Sequence, residues 1–240
     1  MSQSTTVNKD LAEKFKDILG PMDPARDREV REILVTARVG MLLRASFFGN
    51  LATRLKLVNA DEWCATAATD GRNFYYNSKF IKMLRPKEVE FLFGHEVLHC
   101  VYDHFGRRGE RDRQLYNVAC DYCVNADLKK HRVGEFITTV PCLYDDKYVD
   151  WASEAVYDDL FENAEKIDMN DLVNQMIDQH LDGSEGDGDK DKEGKGPTKW
   201  SKQEREQIKE EIKEAMLSAA QASDPGNVPA GVKRIVAQLI

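Results

Sequence analysis

Two histidines and a glutamate stand inside a run that otherwise reads as protein core. The run is Phe91-Leu92-Phe93-Gly94-His95-Glu96-Val97-Leu98-His99-Cys100-Val101. Pro86 opens it, and Glu88 and Glu90 suit the positive end of a helix dipole. The pattern predicts one long helix from Pro86 through His104. Residues four apart on a helix lie on one face, about 40° apart in angle. His95 and His99 can therefore present two imidazoles to one point, with Glu96 one step round. In apolar surroundings three such groups are costly without a partner. A single zinc ion is the partner that fits this spacing. Zinc supplies Lewis acidity and a reactive water, and a neighbouring carboxylate can move that water's proton. His95 and His99 are the candidate metal ligands, and Glu96 is the candidate general base.

Two histidines leave a third protein donor to find. His104 is close in sequence, but it lies roughly 140° further round an ideal helix than His99. Reaching the same cation would require the helix to break within one turn, and no glycine separates the two. The next helical segment, about Arg113 to Lys130, follows a short charged turn, so an antiparallel pair is expected. Asp121 then lies opposite the His95–His99 turn among Val118, Ala119, Tyr122 and Val124. Asp121 is the expected third ligand; the alternative is a buried carboxylate paired with Arg108 or Arg111. Asn125, one turn later, could orient a ligand imidazole through its free ring nitrogen, and His104 is assigned to the same outer layer.

Around this pair the chain reads as follows. Asp23-Pro24 opens a core helix through about Leu43, after a short N-terminal helix at Leu11–Leu19. Gly49-Asn50 breaks the pattern. Residues 51–77 read as strands, with Asp70-Gly71 as a hairpin turn. Ser78–Leu84 is a short helix. Ser153 and Asp168 cap two further helices, Glu154–Ala164 and Met169–Leu181. Residues 182–198 are acidic and glycine-rich, which predicts a flexible loop rather than a calcium loop, because no bidentate Glu stands at the twelfth position. Ser201 caps a last long helix through about Ala222. The expected organisation is an N-terminal extension (1–22), a domain that carries the metal site (23–181), the loop (182–198) and a C-terminal helix with its tail (199–240).

The central motifs resemble those of a known family. HExxH followed by Asp121-x-x-x-Asn125 is similar to the gluzincin peptidases, in which ExxxD on a later helix completes the site. His104 matches the HExxHxxxxH form, in which the third histidine is not a ligand. Aspartate in place of glutamate at the third position requires closer helix packing. More specifically, the chain resembles the metallopeptidase domain that precedes von Willebrand factor A-like domains in bacterial and phage proteins. The matching stretches are Phe47-Phe48-Gly49, Ala67 through Arg72, the HExxHxxxxH helix, Asn117 through Asn125, and Pro225 through Pro229. No DxSxS metal motif of an A-like domain is present, so a stand-alone form or a fragment is expected.

The expected fold is α+β: a mostly helical, zincin-like domain with a small sheet packed on the HExxH helix. The expected activity is zinc-dependent hydrolysis of peptide bonds; the alternative is a non-catalytic, metal-stabilised protein-binding module. Intact Glu96 favours catalysis, since a purely structural site does not need it and tends to fill its fourth position. An edge strand above the metal helix would hold a substrate backbone by strand addition, which makes Thr66, Ala67 and Ala68 candidate substrate-binding residues. Tyr144, Tyr148 and Tyr157 are candidates to stabilise an oxyanion. A net charge of −8 argues against generic nucleic-acid or anionic-membrane binding. Five cysteines, with Cys120-x-x-Cys123 read as helix packing, and no secretory signal point to the cytoplasm. Candidate partners are a protein or peptide substrate and an ATPase or A-like domain. His131 and His180 read as surface residues.

Overall fold

The computed structural model describes residues 17–181 and 196–239. The helix expected at Leu11–Leu19 and the acidic stretch at 182–198 lie largely outside the described residues. The described residues are 62% helical with one small mixed sheet, an α+β fold. Its helices are α1 (Pro24–Arg44), α2 (Ser46–Arg54), α3 (Ser78–Met83), α4 (Pro86–Val101), α5 (His104–Arg107), α6 (Arg113–Lys130), α7 (Ser153–Glu162), α8 (Met169–Val173), α9 (Lys202–Ala222) and α10 (Ala230–Leu239). The strands are β1 (Lys56–Asn59), β2 (Ala67–Thr69) and β3 (Asn73–Tyr76).

α4 is the central element. Every residue from Glu88 to Val101 is buried. α1, α2, α6 and α9 pack on it, and β2 also touches it. The sheet order is β1-β3-β2, with β1 parallel and β2 antiparallel to β3. Phe74 of β3 stacks on Phe93 of α4 with ring centroids 4.2 Å apart, which ties the sheet to the helix. β2 is thus an edge strand lying over α4.

Several elements follow their expected signals. Asp23 caps α1 through its carboxylate, with Pro24 in the first turn. Ser201 and Glu204 form the capping box of α9. Asp70-Gly71 turns β2 into β3, with Gly71 at φ +92°.

Other expectations are corrected. Residues 51–54 belong to α2 and not to a strand. The buried set Phe47, Phe48, Leu51 and Ala52 has helical spacing, which an alternation counted from Leu51 onward conceals. Gly49 does not break this helix. It allows α2 to meet α1, because a Cβ there would lie 2.4 Å from the backbone nitrogen of Leu42. The long helix expected to reach His104 ends at Val101, and Asp103 takes a left-handed conformation at φ +49°. The helix expected over Met169–Leu181 stops at Val173. Ser153 begins α7 without capping it, since its hydroxyl is engaged by His104.

The start of α4 is held by a buried carboxylate. Glu88 accepts the backbone N–H groups of Arg85, Thr138 and Thr139, the Thr139 hydroxyl and the Arg85 guanidinium. Burial alone would raise its pKa, but these donors outweigh it and hold Glu88 at about 2, below its ordinary 4.5. A depressed carboxylate stabilises the fold above its unfolded pKa, and that stabilisation is lost as pH falls through the folded value. Urea denaturation should therefore show wild type losing stability between pH 4.5 and pH 2. Glu88→Gln should be less stable at pH 7 and should change less over that interval. Parallel pH profiles would refute this role for Glu88.

Candidate metal centre

α4 and α6 bring three of the expected donors together, and a segment after α8 adds a fourth. His95 and His99 present Nε2 to Nε2 at 3.0 Å, as their spacing on one helix face requires. From α6, Asp121 Oδ1 lies 3.4 Å from His99 Nε2 and 3.9 Å from His95 Nε2. Asp178 Oδ1 lies 3.4 Å from His95 Nε2. One donor atom from each of the four falls within 4.8 Å of all the others. Tetrahedral zinc with bonds of about 2.0–2.1 Å has donor–donor edges of roughly 3.3–3.4 Å, close to these separations. His95, His99, Asp121 and Asp178 are at most 2% exposed.

α6 can approach α4 this closely because Gly94 precedes His95. A Cβ at Gly94 would lie 2.6 Å from Leu128 Cδ2 of α6. The short aspartate side chain needs that closeness.

Outer partners set the tautomers. His95 Nδ1 is 2.8 Å from Asn125 Oδ1. Asn125 donates through Nδ2 to the carbonyl of Leu143 at 2.9 Å, which fixes its amide so that Oδ1 faces the ring. His95 therefore donates from Nδ1 and keeps the Nε2 lone pair for a metal. His99 Nδ1 is 3.0 Å from His104 Nδ1, and His104 Nε2 is 2.8 Å from the Ser153 hydroxyl. Burial, with His99 and Arg107 nearby, drives the His104 pKa well below its ordinary value and keeps the ring neutral. His104 can then accept from His99 Nδ1–H and donate to Ser153, leaving His99 Nε2 free. The break at Asp103 does bring His104 back to the site. It arrives behind His99, on the nitrogen that faces away from the other donors.

His180 is not a surface residue. Its ring is 7% exposed, and Nε2 lies 2.8 Å from Asp121 Oδ1 and 3.3 Å from Asp178 Oδ1. Asp121 thus pairs with His180 rather than with Arg108 or Arg111. The proximity of both aspartates raises the His180 pKa well above its ordinary value, against the effect of burial. Glu96 is 1% exposed and its Oε1 has no protein partner. Burial first, and Asp178 second, push its pKa well up.

Charge decides what this constellation can hold. Asp121 Oδ2, Asp178 Oδ1 and Glu96 Oε1 are buried without hydrogen-bond partners. Without a cation, burial works against a charged His95, yet Asp178 and Asp121 raise its pKa to about 9. Burial and His95 lower His99 to about 4. A proton on His95 thus fills part of the demand for positive charge. A divalent cation fills it better: two carboxylates neutralise it, two imidazoles add lone pairs, and Asp178 Oδ1 gains a partner. The residues fit a metal ion.

Of the remaining candidates, Ala67 and Ala68 lie in the edge strand β2, next to Thr66, whose hydroxyl is buried without a protein partner. The Ala67 carbonyl accepts the N–H of Gln179 at 2.7 Å. The three tyrosines are engaged elsewhere: Tyr144 and Tyr148 with Asp146 and Asp159, and Tyr157 with the Asp112 N–H. All five cysteines are free thiols. Among the described residues no helix is long and apolar enough to cross a membrane.

Sequence reasoning missed Asp178 and His180. Val173, Met176 and Ile177 have helical spacing, so Asp178 read as the polar face of a helix. The usable signal was an aspartate and a histidine two apart directly after a buried apolar pair.

No curated protein and no solved structure matches this chain. One family model matches residues 30–240, a span that holds every residue of the site. The chain belongs to that family, described as "Putative metallopeptidase domain".

Proposed function

We propose that this chain is a zinc-dependent metallopeptidase that binds one zinc ion through His95, His99 and Asp121 and uses Glu96 as general base. The observation that carries this reading is Glu96: a buried carboxylate oxygen with no partner, one residue from a metal donor. A site with only a structural duty has no use for that costly group. Two imidazole nitrogens and two carboxylate oxygens within 4.8 Å of one another suit zinc better than magnesium or calcium, which prefer more oxygen ligands. Bound zinc supplies Lewis acidity and lowers the pKa of water to about 7. Glu96 takes the proton released as water attacks the peptide carbonyl and passes it to the leaving amine. The raised pKa of Glu96 suits a group that must also hold that proton. The peptide backbone lies along β2 and exchanges hydrogen bonds with residues 66–68. Asn125 and His104 orient the two ligand imidazoles. Five free cysteines suit a reducing compartment such as the cytoplasm.

A second reading has one observation in its favour. Asp178 completes a four-donor set, as in structural zinc sites, so the domain could be a metal-stabilised binding module. Hydrolysis of an unfolded protein substrate separates the two, measured in wild type and in an Asp178→Ala background. Glu96→Gln should keep its zinc and lose about 10²–10⁴-fold in rate. Zinc-loaded protein without Glu96-dependent hydrolysis in either background would leave the binding module.

Zinc affinity tests the donor assignment independently. Replacing an outer partner typically costs about 10–100-fold in affinity. Asn125→Ala and His104→Ala should fall in that range, and Asp121→Ala should cost more than either. A larger loss for His104→Ala than for Asp121→Ala would show that the third donor is wrongly assigned.

A further inference from the structure

Four protein donors leave a tetrahedral cation no place for water, and the fourth comes from a stretch without regular structure. α8 ends at Val173, and residues 174–181 continue as turn and extended chain. Three features describe how this segment sits. Gln179 donates its N–H to the Ala67 carbonyl at 2.7 Å, on the side of β2 not paired with β3. An extended peptide would be held along that edge by strand addition. Immediately before it, Asp178 places a carboxylate oxygen among the metal donors, 3.4 Å from His95 Nε2. Immediately after it, the His180 ring bonds to Asp121 at 2.8 Å. Ile177 enters the main core, and Leu181 packs on the small cluster of Ala60, Cys64, Ala68 and Tyr75.

The segment also borders a large cleft. That cleft has a volume of about 1250 Å³, and Gln179, His180 and Leu181 line it together with residues of α9. His95, Glu96, His99 and Asp121 do not line it.

We propose that residues 178–181, which follow the core-anchored Met176 and Ile177, are a built-in blocker of the active site, docked on the β2 edge as a substrate would be, with Asp178 in the metal position that a catalytic water needs. The proposal rests on the metallopeptidase reading above. The donors differ in what carries them: His95, His99 and Asp121 ride on α4 and α6, two packed core helices, whereas Asp178 rides on irregular chain. Withdrawal of the segment leaves three protein donors, frees the Ala67 carbonyl and opens the fourth position toward the cleft. A docked segment makes the enzyme latent, and any ligand for the open position must compete with it.

The test uses the full zinc-loaded chain and acetohydroxamate, a small anionic zinc ligand, with binding followed by calorimetry. If the segment is docked about 99% of the time, apparent affinity is reduced about a hundredfold. Asp178→Ala should retain one zinc per chain and bind acetohydroxamate about a hundredfold more tightly than wild type. Gln179→Pro removes the N–H that holds the segment to Ala67 and leaves every donor in place. It should move in the same direction by a smaller factor. Equal affinities in wild type and Asp178→Ala would overturn the proposal. So would loss of zinc from Asp178→Ala, which would make Asp178 an obligatory donor of a closed site. If Asp178→Ala does not fold, Gln179→Pro decides alone, and unchanged affinity overturns the proposal. Tighter binding without Glu96-dependent hydrolysis would keep the blocker and remove the peptidase reading.

Discussion

Three carboxylates share one buried pocket with three imidazoles, and the rest of the structure accommodates the charge this creates. Taking each ion out of water costs on the order of several kcal/mol even after relaxation. Asp121 and Asp178 each keep a buried oxygen without a hydrogen-bond donor, and so does Glu96. His180 offsets part of the negative charge through Asp121. Without a metal ion, a proton on His95 supplies part of the missing positive charge, while His99 beside it stays neutral. A divalent cation among the four donors resolves both problems, and for that reason the centre reads as a metal site rather than as an ion-pair network.

The scaffold is arranged so that this centre has little freedom. Glu88 pins residues 138–139 to the start of α4. The same connection continues to Leu143, whose carbonyl orients Asn125, which orients His95. On the other side, Ser153 at the start of α7 holds His104, which holds His99. Each ligand imidazole is therefore tied through one intermediate to a different stretch of chain. Gly94 sets the helix separation that lets an aspartate on α6 serve where a longer carboxylate would otherwise be needed. Stability and chemistry are linked here, because loosening the 133–143 connection would also release the tautomer of His95.

The paired helices and the positions of His95, Glu96, His99, Asp121 and Asn125 were legible in the sequence, because helical spacing and a short turn fix which faces meet. The strand at Ala67–Thr69 and its hairpin were legible from Asp70-Gly71 and the alternation around it. The failures have physical causes. α2 was hidden because the contribution of Gly49 is a close approach to α1, and a close approach has no local signature. The break after Val101 was missed because Asp103, not glycine, adopts the left-handed turn. His104 was read as an outer partner on a straight helix; that helix does not exist, and the ring lies 3.0 Å behind His99. Asp178 and His180 were lost because their neighbours happen to carry helical periodicity, while contacts with β2, α4 and α6 decide their conformation. Tertiary contacts of an irregular segment cannot be read from its own periodicity.

X-ray absorption at the zinc edge tests the central claim most directly, because it counts the ligands of the ion itself. The zinc-loaded wild-type chain should show four light N/O donors at about 2.0–2.1 Å, with outer-shell scattering from two imidazoles. Three or more imidazoles would place His104 or His180 on the metal and contradict the site described here. A chain that fails to bind zinc stoichiometrically would contradict it more completely.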